Sequence, residues 1–175
     1  MLQKTVAKSH WLRRWLKTIV VYGLLFVGLT AAMDYYRKPS EPAQFADQVL
    51  YDLHRQPHII AQLSHQQPML LYFWGSWCGY CKLTSPAVNK LAQQNIPVLT
   101  VALRSGDNQA VENYLTRENY AFPVINDPDG KLSKAWNIQA TPTILIIKSG
   151  KVLLHTTGLT SYWGLKARLW LANFN

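Results

Sequence analysis

Six consecutive apolar residues, Met69-Leu70-Leu71-Tyr72-Phe73-Trp74, run straight into Gly75-Ser76-Trp77-Cys78-Gly79-Tyr80-Cys81. A strand with one wet face alternates apolar and polar residues. An unbroken run fits a strand buried on both faces, in the middle of a sheet. Gly75 and Ser76 break the run, and a helical pattern follows from about Cys78 to Gln94, with Pro86 expected to kink it. A strand covered on both sides needs layers above and below it.

The remaining pattern fills in those layers. Gln48–Leu53 and His58–Ile60 read as short strands around a turn at Pro57, and Pro97–Leu103 as another apolar strand. Asn108–Tyr120 reads as a helix, with Val111, Tyr114 and Leu115 at i, i+3, i+4. Phe122–Ile125 is a short extended piece, Asp127-Pro128-Asp129-Gly130 a turn, and Lys131–Trp136 a brief helix. Thr143–Ile147 and Val152–Thr156 form a hairpin across Ser149-Gly150. A final helix over Tyr162–Phe174 carries Leu165, Leu169 and Trp170 as its expected inner stripe. Strand, helix, strand, helix, then hairpin and helix predict an α/β fold: a mixed central sheet with helices on both faces.

Charge and hydropathy set the N-terminus apart. Of the formal net charge of +9, residues 1–38 contribute +6, from seven basic side chains against Asp34. The rest of the chain is only mildly basic, which argues against a nucleic-acid-binding face. Ile19 to Met33 lacks any charge, Trp15 and Leu16 extend the run upstream, and Tyr35 and Tyr36 follow as interfacial aromatics. A membrane-crossing helix needs ~20 apolar residues, with ~17 as a lower limit. The expected organisation is a basic cytoplasmic tail (1–17), a transmembrane anchor (18–36), a linker (37–46) and a globular domain (47–175). Five basic residues precede the apolar run, so the positive-inside rule keeps the tail in the cytoplasm and exports the domain. A cleaved signal peptide is the competing reading, with Thr30-Ala31-Ala32 before Met33 as its cleavage site. Both readings export the domain. Pro39 and Pro42 in the linker end any helix and favour extended chain.

The chemistry is concentrated in Trp77-Cys78-Gly79-Tyr80-Cys81, which holds both cysteines of the chain. At i, i+3 on the first turn of a helix the two sulfurs come within bonding reach. The helix N-terminus offers free amide N–H groups and partial positive charge, which favour a Cys78 thiolate. The thiolate is the species that attacks a disulfide. Cys78 is therefore the expected nucleophile, and Cys81, a turn deeper, the residue that resolves the mixed disulfide. A purely structural disulfide is a weaker reading, because closing a four-residue loop yields only about 2 kcal/mol before strain. A soft-metal site is the other, since cysteine pairs bind Cu(I). Few Met residues accompany the pair, and His54 and His58 read as loop histidines separated by Pro57. No metal site and no cofactor are expected.

The apolar strand with Phe73-Trp74, the Trp-Cys-Gly-x-Cys centre, Pro86 five residues after the second cysteine, and Ala140-Thr141-Pro142-Thr143 before a strand together resemble the thioredoxin superfamily. The resemblance covers about residues 45–175. It implies a thioredoxin-like fold in which Pro142 follows a cis peptide bond and faces the cysteines, beside Thr141. It implies further that Trp77, Gly79, Tyr80, Thr141 and Pro142 meet the substrate. Val101–Asp107, Phe122–Asp127 and Thr160–Gly164 are similar to the anchored, exported branch that serves cytochrome c maturation and copper tolerance, the suppressor of copper sensitivity proteins in particular. That branch implies a bacterial inner-membrane protein, single-pass, with its catalytic domain in the periplasm. The chain departs from the superfamily in three places: Tyr72 and Thr84 stand where relatives carry an acid that can take a proton from the second cysteine, and the central pair Gly79-Tyr80 lacks the proline of the most familiar Cys-Gly-Pro-Cys centre.

The expected function is thus a membrane-anchored protein-disulfide oxidoreductase, with reduction somewhat favoured. Its expected partners are exported cysteine-containing proteins and an integral-membrane thiol electron donor. A copper-binding module using Cys78 and Cys81 as ligands is the alternative. A tethered docking protein whose cysteines only recognise a partner is the third.

Overall fold

Strand β3 (Met69–Trp74) is buried at every position, and the rest of the domain is arranged around it. The computed structural model describes Trp15, residues 17–23, Leu25 and residues 39–174. Upstream of β3 lie β1 (Val49–Tyr51), β2 (Pro57–Ile59) and the single turn α1 (Ile60–Leu63). Downstream follow α2 (Gly79–Ala92), β4 (Val98–Leu103), α3 (Asn108–Glu118), β5 (Val124–Asp127) and α4 (Lys131–Ala135). The chain closes with β6 (Thr143–Lys148), β7 (Lys151–Thr157) and α5 (Tyr162–Asn173). The main sheet has five strands in the order β5-β4-β3-β6-β7, and β1 pairs separately with β2. β4 is parallel to both β3 and β5, while β6 is antiparallel to β3 and β7. The fold is the expected thioredoxin-like α/β arrangement with a mixed sheet.

The alternation of side chains along β3 divides the core in two. Leu70, Tyr72 and Trp74 pack with Val88 and Leu91 of α2, Val111 and Tyr114 of α3, and Leu165, Leu169 and Ala172 of α5. Met69, Leu71 and Phe73 pack on the other face with Phe45, Leu50, Ile60 and Trp136. The run in the sequence lacks polar residues because neither face of this strand meets water.

The helix ends follow from local chemistry. Asp107 caps α3 by accepting from the Ala110 N–H at 2.8 Å, and Ser161 caps α5 by accepting from the Gly164 N–H at 3.1 Å. α3 stops at Asn119, whose left-handed backbone (φ 55°) turns the chain toward β5. Pro86, expected to kink α2, lies within the helix without ending it.

Two expectations need correction. The inner stripe of α5 is Leu165, Leu169 and Ala172, at i, i+4, i+7, whereas Trp170 is 61% exposed and sits edge-on against Phe174. One step along a helix is about 100°, so Leu169 and Trp170 cannot share a narrow buried stripe. His58 is not a loop residue: it lies on β2, with Nε2 2.8 Å from Asp52 Oδ2. Proline is accommodated as the first residue of a strand, so Pro57 opens β2 instead of forming a turn.

The chain divides into two units, Met1–Arg37 and Lys38–Asn175. In the first, the described residues are helical. The anchor expected over 18–36, the cleavage site before Met33 and most of the basic tail lie largely outside the described residues. Among the described residues, no helix is long and apolar enough to cross a membrane.

Candidate active site

β3 delivers the chain to the end of the sheet, where Gly75, Ser76 and Trp77 turn it into α2. Cys78 is the residue that caps α2, with extended backbone (φ −88°, ψ 111°). Its Sγ accepts from the Cys81 N–H at 3.2 Å, in the manner of a capping oxygen. The two sulfurs form a disulfide, with Cα atoms 5.2 Å apart. Cys78 retains a little exposure (6%) and Cys81 none. Of the two, Cys78 is the one that meets solvent.

β6 runs against β3 with Thr143 opposite Phe73, so the residues before β6 arrive where β3 ends. The Thr141–Pro142 bond is cis, and the Thr141 carbonyl oxygen lies 3.4 Å from Cys78 Sγ. A disulfide sulfur has no proton to donate, so this approach becomes a hydrogen bond only when Cys78 is a thiol. The segment is braced from behind. Thr143 Oγ1 donates to the Ala140 carbonyl at 2.8 Å and lies 3.1 Å from Thr157 Oγ1, and the Gly158 N–H donates to the Pro142 carbonyl at 2.8 Å.

Around the disulfide, Trp77 and Tyr80 are well exposed, and Gly79 with them. Trp77 is nevertheless fixed: its Nε1–H donates to the Leu103 carbonyl at 3.1 Å. Its indole lies across Gly75, where a Cβ would come within 2.6 Å of Trp77 Cε2. The Ser76 N–H donates to Ser105 Oγ at 3.0 Å, and Ser105 Oγ donates to the Leu103 carbonyl at 3.2 Å. The end of β4 is therefore the support for the cysteine loop. Sequence reasoning missed Ser105 in this role; a small hydroxyl residue just past a central strand was the available signal.

The five residues expected to meet substrate are thus gathered at one end of the sheet: Trp77 from the turn after β3, Gly79 and Tyr80 from the first turn of α2, Thr141 and Pro142 from the segment before β6. The two positions where relatives carry an acid are polar but uncharged here. Tyr72 is buried and its hydroxyl pairs with Ser85 Oγ at 2.9 Å. Burial holds the Tyr72 phenol far above its ordinary range, outweighing the bond to Ser85, so it stays neutral. Thr84 Oγ1 is buried without a hydrogen-bond partner among the described residues. Neither residue can act as a carboxylate would. Among the described residues, no group of three or more His, Cys, Asp or Glu converges to hold a metal ion.

Residues 43–156 match the AhpC/TSA family. A thioredoxin-like protein of Haemophilus influenzae is 44% identical over 163 residues, covering 93% of this chain and 98% of its own. The thiol-disulfide oxidoreductase ResA of Geobacillus kaustophilus is 27% identical over 148 residues, covering 80% of this chain and 84% of its own. A crystal structure of a secreted Mycobacterium tuberculosis disulfide oxidoreductase shares the fold, with a TM-score of 0.61 at 22% identity over 74% of this chain and 98% of that one. With these relatives and a bonded Cys78–Cys81 pair, the chain belongs to the AhpC/TSA family, within the thioredoxin-like superfamily, and is an enzyme of the thiol–disulfide oxidoreductase kind.

Proposed function

We propose that the protein is a membrane-anchored, extracytoplasmic oxidoreductase that reduces disulfides in exported proteins. One observation carries the reading. Cys78 sits at a helix N-terminus, bonded to a fully buried Cys81 and 3.4 Å from the Thr141 carbonyl oxygen, with exposed Trp77 and Tyr80 beside it in sequence.

The chemistry follows from that placement. In the reduced enzyme, the Cys78 thiolate attacks one sulfur of a client disulfide. An enzyme–client mixed disulfide forms and one client thiolate leaves. The Cys81 thiolate then attacks Cys78 Sγ, releasing the second client thiolate and forming the Cys78–Cys81 bond. Two electrons pass from enzyme to client, and the leaving thiolates take up protons from solvent. A dithiol donor must restore the enzyme by the reverse exchange; a membrane-embedded one suits a tethered enzyme, since tethering raises the effective concentration of the pair. The Cys81 N–H on Cys78 Sγ favours the attacking thiolate. The main chain of half-buried Thr141, next to Cys78, suits pairing with an extended client segment.

The uncharged stretch of 19–33 behind five basic residues supports the anchor and the export of the domain. The motifs shared with the copper-tolerance branch support a role under copper stress.

The test is exchange by the Cys→Ser variants. Cys78→Ser is expected to abolish disulfide exchange, and Cys81→Ser to accumulate mixed disulfides through Cys78. Undiminished exchange in Cys78→Ser overturns the mechanism. Titration of the pair against glutathione buffers then gives the direction, with 30 mV corresponding to about 1.4 kcal/mol.

A further inference from the structure

A cavity of about 580 Å³ lies against Trp77, within the ~300–1,000 Å³ range of ligand sites. Trp77, the neighbour of Cys78, forms one wall. Gln139, two residues before Thr141, forms another. The two segments that meet at Cys78 Sγ therefore each contribute a residue to this cavity.

The charge of the cavity is one-sided. Arg104, Lys131 and Lys134 line it against Asp129 alone. Asp129 is already engaged, with Oδ2 3.0 Å from Lys131 Nζ. Arg104 and Lys134 make no ion pair with any described residue. The nearby Asp127 carboxylate is buried and accepts the Leu132 and Ser133 N–H groups, so it is turned away from the opening. Ser133 also belongs to the wall, and its buried Oγ has no hydrogen-bond partner among the described residues.

Arg104 is fixed through its main chain, and its guanidinium has room beside Gly130. Its backbone is left-handed (φ 45°) and its N–H donates to the Asp127 carbonyl at 3.0 Å. Its Nε lies 3.1 Å from where a Cβ on Gly130 would stand, so the bare glycine makes the room the guanidinium uses. A guanidinium presents a planar fork of donors matched to a carboxylate.

We propose that this cavity receives an acidic side chain flanking the client cysteine, so that the enzyme selects polypeptides with Asp or Glu near their disulfide. The proposal rests on the oxidoreductase reading and names its client class. An extended segment advances ~3.3 Å per residue, so a side chain a few positions from the cysteine reaches the cavity.

The test uses the reduced full-length protein and three peptide disulfides that differ only in flanking residues: acidic, neutral amide, or lysine. The expected kcat/KM for the acidic peptide exceeds that of the neutral one by about tenfold, and the excess shrinks with added salt. The double variant Arg104→Gln, Lys134→Gln brings the ratio close to one. Arg104→Glu turns the preference toward the lysine peptide; both side chains are exposed, so neither change threatens the core. A wild-type ratio near one, or one that the double variant leaves intact, overturns the proposal while exchange itself stands. Absence of exchange with all three peptides overturns the redox reading instead. Selection of oxidised glutathione, whose carboxylates sit on no extended chain, without selection among the peptides overturns the polypeptide occupant.

Discussion

Cys78 Sγ and the Thr141 carbonyl oxygen lie 3.4 Å apart across 63 residues of sequence. The same sulfur accepts the Cys81 N–H at 3.2 Å. The two neighbours act in opposite directions once the disulfide opens. The carbonyl can only accept, so it stabilises a thiol. The amide can only donate, so it stabilises a thiolate. Two contacts of opposite effect thus meet at one sulfur, one local and one delivered by the segment before a distant strand.

Tyr72 stands where an acid would serve as proton acceptor, and burial keeps its phenol protonated. Tyr72→Phe is therefore expected to leave the pH profile of mixed-disulfide resolution unchanged. It should cost about 1 kcal/mol of stability, because Ser85 Oγ loses its partner. Stopped-flow resolution across pH and urea unfolding check the two halves. A profile that shifts with Tyr72→Phe contradicts a spectator phenol.

Gly75→Ala places a methyl 2.6 Å from Trp77 Cε2. The indole is exposed, so it swings outward rather than straining the strand. The Trp77–Leu103 bond then breaks. Expected results are a change in tryptophan fluorescence, slower exchange with peptide disulfides and a stability loss of about 1 kcal/mol. Unaltered exchange would show that the position of Trp77 is irrelevant to client binding.

Asp52 ties the β1–β2 connection together. Oδ1 accepts the His54 and Gln56 N–H groups at 2.9 and 2.8 Å, and Oδ2 faces His58 Nε2 at 2.8 Å. Burial raises its carboxyl, but these hydrogen bonds outweigh that effect and hold it below the usual range. The sign is that of a depressed acid: its stabilisation is full above the unfolded value near ~3.9 and is lost as pH falls through the lower folded value. Asp52→Asn should flatten that acid limb and cost about 1 kcal/mol at neutral pH. Thermal melts from pH 2 to 7 on both proteins measure it.

Leu165→Ala and Trp170→Ala separate the two faces of α5. Leu165 is fully buried, so its truncation should cost ~2–5 kcal/mol. Trp170, mostly exposed, should cost under ~1 kcal/mol despite being the larger residue. Denaturant midpoints decide, and a reversed order would restore Trp170 to the interior.

Legibility in the sequence tracks how local each cause is. β3 and the capped cysteine pair were readable because an apolar run and an i, i+3 spacing act within a few residues. The meeting of Cys78 with Thr141 depends on Phe73 standing opposite Thr143. No periodicity encodes that register, and only family resemblance pointed to it. Trp170 was misplaced because helical spacing admits several apolar stripes, and packing against β6 and β7 selects Ala172 instead. Ser105, Arg104 and Gly130 were silent because their work is done through contacts between separate segments.

Gly79 and Tyr80 differ from the residues around them. A side chain at Gly79 would meet nothing within 4 Å, and Tyr80 is 63% exposed. Two adjacent letters of the chain are thus free of any packing obligation while sitting between the reacting atoms. Substitutions at those two letters leave the core untouched, so the electrochemical poise of the couple can be varied there on an unaltered frame.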